Sequence, residues 1–341
     1  MPTRIAINGF GRIGRHAFKI AFEKPELEIV AINDLGSLEV MAHLLQYDTA
    51  YGHYHRAVSV EGTDLVVDGK HIKFVSVKEP VELPWKELGI DVVLESTGRY
   101  TKDGAARVHL TAGAKRVIVS APTKGGDVQT YLFGVNNETN AGDDVISNAS
   151  CTTNCVAPVI KVMMKEFGVL KAGMTTIHSY TAEQNLVDGP VPPLHPDLRR
   201  ARAAAQNIVP TTSGAAISTA EVLPELAGKF DGYALRVPTL TVSYTDFTFL
   251  VAKKTTIEEV NAAFKKWAAD PSMLGILAVS DVPLVSSDFK GNTHSAIVDV
   301  LLTNVIDGDL VKVAAWYDNE WGYSNRFVEQ AIVIGRQLTT A

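Results

Sequence analysis

The sequence predicts a parallel α/β domain followed by an α+β domain whose sheet is mainly antiparallel. Three observations carry this. The first half alternates short apolar runs with helix-period segments, the pattern of a parallel sheet wrapped by helices. The second half holds longer alternating, β-branched runs, at 232–239, 241–252 and 295–306, which suit an antiparallel sheet with one face covered. At 341 residues the chain is long enough for two domains. We place the first at 1–150 and the second at 151–318, with a helix in 319–341 packing back on the first.

In the first half, 4–8 reads as a short strand. Gly9-Phe10-Gly11-Arg12-Ile13-Gly14 follows at once, and a helical pattern runs over 12–22. A second strand spans 28–33 and ends in Asp34, twenty positions after Gly14. A bare G-x-G-x-x-G is a weak signal, since glycine-rich turns are common. Strand, fingerprint, helix, strand and acidic residue in this order point to a Rossmann-type dinucleotide site. The glycines permit a tight turn and close backbone approach, and the helix N-terminus receives the pyrophosphate. Asp34 would accept from the adenosine ribose hydroxyls and repel a 2′-phosphate, which favours NAD over NADP. Helices are then expected at 37–47 and 101–112, strands at 91–96 and 115–120, and a hairpin at 62–74 around Asp68-Gly69.

The domains meet in sequence at Ser147-Asn148-Ala149-Ser150-Cys151-Thr152-Thr153-Asn154-Cys155. A short apolar run precedes it and an apolar-periodic segment, 156–167, follows, so Cys151 falls at a helix N-terminus. The unpaired N–H groups and macrodipole there favour an anion, and the sequence therefore predicts a lowered thiol pKa and a nucleophile. Cys155, one turn on among apolar neighbours, reads as a small buried hydrophobe. A lone cysteine is most often mere packing, but the polar residues flanking Cys151 are ones a core would not need. Further on, 173–180 is β-rich and carries His178, and 189–196 is a proline-dense loop. A basic helix is expected at 197–206, a capping box at Thr256-x-x-Glu259 opens a helix through Trp267, and a strand at 310–317 precedes a helix at 323–337.

Composition excludes several classes. Hydrophobic content of 46% and charged content of 21% are those of an ordinary globular protein with a sizeable core. A net charge of −6 argues against nucleic acid or acidic membranes as partners. Two cysteines make neither a disulfide framework nor a zinc site, so no metal is expected. With no signal peptide or spanning apolar run recognisable, a cytoplasmic location is the expectation.

Several motifs occur together and in order: 6–15, the Ser147–Cys155 stretch, Thr175-Thr176-Ile177-His178-Ser179-Tyr180-Thr181, Asp197-Leu198-Arg199-Arg200-Ala201-Arg202, Arg236-Val237-Pro238-Thr239, and Tyr317-Asp318-Asn319-Glu320-Trp321-Gly322-Tyr323. Over essentially its whole length the chain resembles the glyceraldehyde-3-phosphate dehydrogenase family. The resemblance implies a homotetramer that oxidises glyceraldehyde 3-phosphate with NAD and inorganic phosphate, through a cysteine hemithioacetal and thioester. It implies Cys151 as nucleophile and His178 as its base. Gly9, Gly11, Arg12, Ile13, Gly14, Asp34, Lys78, Ser120 and Asn319 match cofactor positions. Thr181 and Arg236 match the site for the substrate's own phosphate. Ser150, Thr152, Ser213, Gly214 and Arg200 match that for the attacking phosphate. A fork of guanidinium N–H groups plus hydroxyls suits a tetrahedral dianion.

The chain departs from the family pattern in places. Val191 to Leu194 resembles an insertion of about four residues, counted from the motif spacing. Gly189 stands where leucine is usual, Glu183 where aspartate is common, Lys78 where arginine is common, Ser213 for a frequent threonine and Ile217 for a frequent lysine. Two other functions compete. Erythrose-4-phosphate dehydrogenase, in which water takes the acyl group, is favoured slightly by the His195–Arg200 run, whereas Pro210–Ala216 leans back. A non-enzymatic binding protein on the same fold is disfavoured by the net negative charge and the intact Cys151/His178 pair.

Overall fold

The structure is a computed structural model that describes residues 1–191 and 197–340. It divides into two compact units, one of residues 1–131, 139–149 and 324–341, the other of 132–138 and 150–323.

The first unit opens with β1 (Thr3–Asn8), α1 (Arg12–Phe22), β2 (Leu27–Asn33) and α2 (Leu38–Gln46). A short ladder of β3 (Tyr47–Asp48) and β4 (Gly52–His53) leads into β5 (Val58–Glu61), β6 (Asp64–Val67) and β7 (Lys70–Val75). Then come β8 (Val92–Glu95), α3 (Val108–Thr111), β9 (Arg116–Val119), β10 (Gln129–Thr130) and β11 (Val145–Ser147). Nine of these strands form one sheet in the order β10-β11-β9-β8-β1-β2-β7-β6-β5 among the described residues. It is parallel from β10 to β7, and the β5–β6–β7 meander adds an antiparallel edge. The strand order reverses between β1 and β8, and ligands bind open α/β sheets at such a switch point. Trp85, Ile90, Val93 and Val117 are among the buried core.

The second unit starts with α4 (Cys151–Phe167) and the long β12 (Val169–Ser179). It continues through β13 (Val209–Thr212), α5 (Ala215–Val222), β14 (Phe230–Val237), β15 (Ser243–Val251) and α6 (Ile257–Ala268). It ends in β16 (Leu277–Ser280), β17 (Ala296–Asp299), β18 (Asn304–Ile306) and β19 (Leu310–Tyr317). The sheet order is β13-β14-β12-β15-β19-β17-β16, with β18 on β19. The long β12–β15 and β15–β19 ladders are antiparallel as expected, but β12 pairs β14 and β16 pairs β17 in parallel, so the sheet is mixed. The capping box on Thr256 and Glu259 is formed and opens α6. The last helix, α7 (Trp321–Thr340), belongs to the first unit from Ser324 on. There a Cβ on Gly335 would overlap the Thr3 side chain, so this glycine lets helix and strand touch.

Three expected elements differ. The helix at 101–112 is only a 3-10 turn, Ala105–Arg107, followed by α3. Asp103 and Gly104 take φ of 51° and 69°, left-handed values that end a right-handed helix. The helix at 197–206 is two 3-10 turns, Leu198–Ala201 and Ala204–Gln206. Tertiary bonds displace the helical ones: Ala203 N–H donates to Asp188 at 3.0 Å and Ala204 N–H to the Asn185 carbonyl at 2.9 Å. The run 295–306 is split into β17 and β18 by a turn. Of the 189–196 loop and the 191–194 insertion, residues 192–196 lie outside those described.

Candidate active site

The first unit carries a cleft of about 280 Å³ at the carboxyl ends of β1, β2 and β8, lined in part by Gly9, Gly11, Asp34, Lys78, Thr97 and Arg99. Each fingerprint glycine has its own reason. Gly9 takes φ +91°, and a Cβ there would stand 2.8 Å from the Thr97 nitrogen. At Gly14 a Cβ would overlap the Gly9 carbonyl, so α1 could not close on β1. At Gly11 nothing lies within 4 Å, which leaves the opening of α1 free for a ligand. A helix N-terminus behind an open glycine turn is what a pyrophosphate needs, so the residues fit a dinucleotide.

The other cofactor candidates take definite places. Both Asp34 oxygens are already engaged, accepting from Phe10 N–H at 2.7 Å and Gly36 N–H at 2.8 Å. A carboxylate has further lone pairs, so it can still accept from a ribose. The Arg12 guanidinium donates to both Asp48 oxygens, at 3.1 and 3.3 Å, which leaves the helix-terminal backbone at Arg12 and Ile13 as the natural anion donors. Ser120 follows β9, its N–H bonded to the Glu95 carbonyl at 2.9 Å. In the second unit the buried Asn319 is oriented by Ser243, whose hydroxyl donates to Asn319 Oδ1 at 3.0 Å.

The second unit assembles the thiol site. Ser150 caps α4, accepting from Thr153 N–H at 3.0 Å, and so fixes Cys151 as the first helical residue. Ala149 just before it takes φ +53°, uncommon for a residue with a side chain. Cys151 Sγ lies 3.4 Å from His178 Nε2. His178 Nδ1 is 2.7 Å from the Ser179 carbonyl, which can only accept, so the ring proton sits on Nδ1 and a lone pair on Nε2 faces the sulfur. The Tyr317 ring edges onto His178, and its hydroxyl lies 3.0 Å from Thr152 Oγ1 and 2.8 Å from Thr176 Oγ1.

The electrostatics correct one expectation. Burial pushes the Cys151 thiol up to about 11, against the pull of Arg236, the Thr152 hydroxyl and the N–H groups of Thr152 and Cys151. The helix terminus alone therefore does not make a thiolate at neutral pH. Burial, aided by Arg236, holds His178 well below its ordinary value, so it is neutral and able to accept a proton. Moving the thiol proton to Nε2 creates no net charge, and the attraction across 3.4 Å offsets the desolvation either ion would suffer alone.

Three of the anion candidates gather around Glu183. Arg236 donates to Thr181 Oγ1 at 2.6 Å, and Arg200 to Glu183 Oε1 at 2.6 Å. Arg236 reaches the same carboxylate oxygen at 3.9 Å. Thr181, Arg200, Arg236 and Glu183 thus form one cluster of two largely buried cations around a single acid. Ser213 Oγ accepts from Ala215 N–H at 3.2 Å just ahead of the helix whose N-cap is Gly214, and its hydroxyl proton remains to donate. Sequence reasoning did not single out Ser179, Ser243 or Tyr317 as individuals. Ser179 and Tyr317 lie inside motifs already noted, whereas Ser243 gives no local signal, because its role depends on strand register.

Comparison with known proteins agrees with both units. The family model described as "Glyceraldehyde 3-phosphate dehydrogenase, NAD binding domain" matches residues 3–103, and that described as "Glyceraldehyde 3-phosphate dehydrogenase, C-terminal domain" matches 150–319. The glyceraldehyde-3-phosphate dehydrogenase of Geobacillus stearothermophilus is 52% identical over 336 residues, 98% of each chain. That of Streptomyces coelicolor is 51% identical over 341 residues, 99% of this chain and all of its own. That of Zymomonas mobilis is 48% identical over the same length. With fingerprint, Cys151/His178 pair and paired arginines in place, this chain belongs to the glyceraldehyde-3-phosphate dehydrogenase family.

Proposed function

We propose that this chain oxidises glyceraldehyde 3-phosphate and phosphorylates the product, with Cys151 as nucleophile and His178 as base. The observation that carries the residue roles is the 3.4 Å approach of Sγ to an Nε2 whose lone pair is fixed by the Ser179 carbonyl. His178 takes the thiol proton as sulfur attacks the aldehyde carbon, giving a hemithioacetal. The N–H groups at the start of α4 suit the developing oxyanion. Oxidation of this carbon would use the hydride acceptor that bound NAD supplies. The thioester left on Cys151 then passes its acyl group to phosphate and frees the thiol. Gly9, Gly11, Arg12, Ile13, Gly14, Asp34, Lys78, Ser120 and Asn319 would hold the dinucleotide.

Thr181 and Arg236 would hold the substrate phosphate. Ser150, Thr152, Ser213, Gly214 and Arg200 would hold the attacking one, with Glu183 balancing the guanidiniums until an anion arrives. A homotetramer fits the exposed apolar residues Leu186, Val187, Leu198, Ile208 and Ile217, which a partner subunit would cover. Among the described residues no helix is long and apolar enough to cross a membrane, and both cysteines are free thiols, which suits the reducing cytoplasm.

Initial rates with glyceraldehyde 3-phosphate or erythrose 4-phosphate, with NAD or NADP, and with or without phosphate test the reading. It expects the triose phosphate, NAD and a phosphate requirement. A rate indifferent to phosphate would transfer the assignment to the erythrose-4-phosphate enzyme.

A further inference from the structure

Beneath the dinucleotide cleft lies a buried polar chain that none of the roles above uses. Trp85, Glu95 and His109 are each no more than 1% exposed, and none of them lines the cleft. The Trp85 indole N–H donates to His109 Nδ1 at 3.1 Å. An indole can only donate, so Nδ1 carries the lone pair and the ring proton sits on Nε2. That proton points at Glu95 Oε2, 2.9 Å away. The same oxygen accepts from Asn8 Nδ2 at 2.5 Å, and Oε1 accepts from Thr97 N–H at 2.8 Å and Thr97 Oγ1 at 2.5 Å. Asn8 in turn accepts from Asn33 at 2.7 Å. Asn8, Asn33 and Thr97 do line the cleft.

We infer that His109 is a positioning residue for the cofactor site: with its tautomer locked by Trp85, it pins the Glu95 carboxylate, which holds Thr97 and Asn8 in the arrangement that receives the dinucleotide. The inference rests on the cofactor reading above. The physics is that of a fully satisfied buried network. Four donors face one carboxylate, so each oxygen's direction is fixed and so is the backbone at Thr97. Thr97 must also stay put because its nitrogen abuts Gly9, whose missing Cβ makes room for it. Removing one donor leaves a buried charge short of a partner, and the carboxylate turns to recover it, taking Thr97 along.

The test measures NAD affinity by calorimetry and amide hydrogen exchange at Thr97 in the cofactor-free protein. Cys151 alkylation serves as a control on the second unit. His109→Leu should weaken NAD about tenfold, the size of one unsatisfied buried hydrogen bond, and speed Thr97 exchange. His109→Gln, which keeps a donor for Glu95 and an acceptor for Trp85, should recover part of the loss. Trp85→Phe keeps an aromatic ring in place but removes the indole N–H and so frees the tautomer. It should weaken NAD about threefold although residue 85 does not line the cleft, and it decides the matter if His109→Leu does not fold. NAD affinity within twofold of wild type in the variants, or weakened binding with unchanged Thr97 exchange, would overturn the inference. Wild-type protein unable to bind NAD would instead overturn the cofactor reading on which it depends.

Discussion

The proton on Nδ1 of His178 is claimed by the Ser179 carbonyl at 2.7 Å, and the base that faces Cys151 follows from that one contact. With His178 present, thiol alkylation should follow the ionisation of the pair. In His178→Asn the sulfur keeps its burial but loses its proton acceptor. Alkylation at pH 7 should then fall and recover only in alkali, because burial raises the thiol pKa and no acceptor faces the sulfur. A pH profile matching wild type would remove His178 from the role. Cys151→Ser should abolish oxidation while leaving NAD binding intact, since a hydroxyl is a poor nucleophile and its ester a poor acyl donor. Comparable turnover in that variant would exclude the sulfur. At Arg200 the structure places Glu183, seventeen residues upstream, at 2.6 Å. Arg200→Leu should raise the phosphate requirement of steady turnover strongly and change the first hydride burst much less, as rapid-quench measurements would show. Equal loss in both would reduce Arg200 to a structural ion pair. The motifs that carry the candidate site residues were legible as contiguous runs; the contacts that orient them, such as Ser243 on Asn319, were not, because they join positions 76 apart.

Strands and helices were legible where period and punctuation agreed. The spans of α1 and β19 match the expected ones, since a clear apolar period ends at clear breakers in each. The expected helix at 197–206 failed because an alanine- and arginine-rich run has high propensity, yet the neighbouring loop supplied better partners for its backbone. The turn into α1 is sensitive to substitution. Gly14→Ala puts a methyl group onto the Gly9 carbonyl, so α1 must move away from β1. NAD affinity should drop about five- to 150-fold, the scale of a roughly 1–3 kcal/mol overpacking cost, with little change in Cys151 alkylation. Retained affinity in calorimetry would show that the turn tolerates the displacement.

At the scale of the whole molecule, the fold class was legible from the change of texture along the chain, whereas the parallel pairings inside the second sheet were not. No local pattern distinguishes a strand paired in parallel from one paired antiparallel when both alternate. Light scattering at micromolar concentration should give about four times the 36.8 kDa chain mass; a monomer would defeat the homotetramer. The thiol inventory of the molecule has a practical sequel. The chain holds two sulfhydryls, one half-buried at the start of α4 and one fully enclosed a turn deeper, where burial raises its pKa further. A mild alkylating reagent should therefore add a single label per chain, and the labelled fraction in a mass spectrum becomes a census of competent subunits in any preparation. Specific activities could then be stated per working site instead of per milligram.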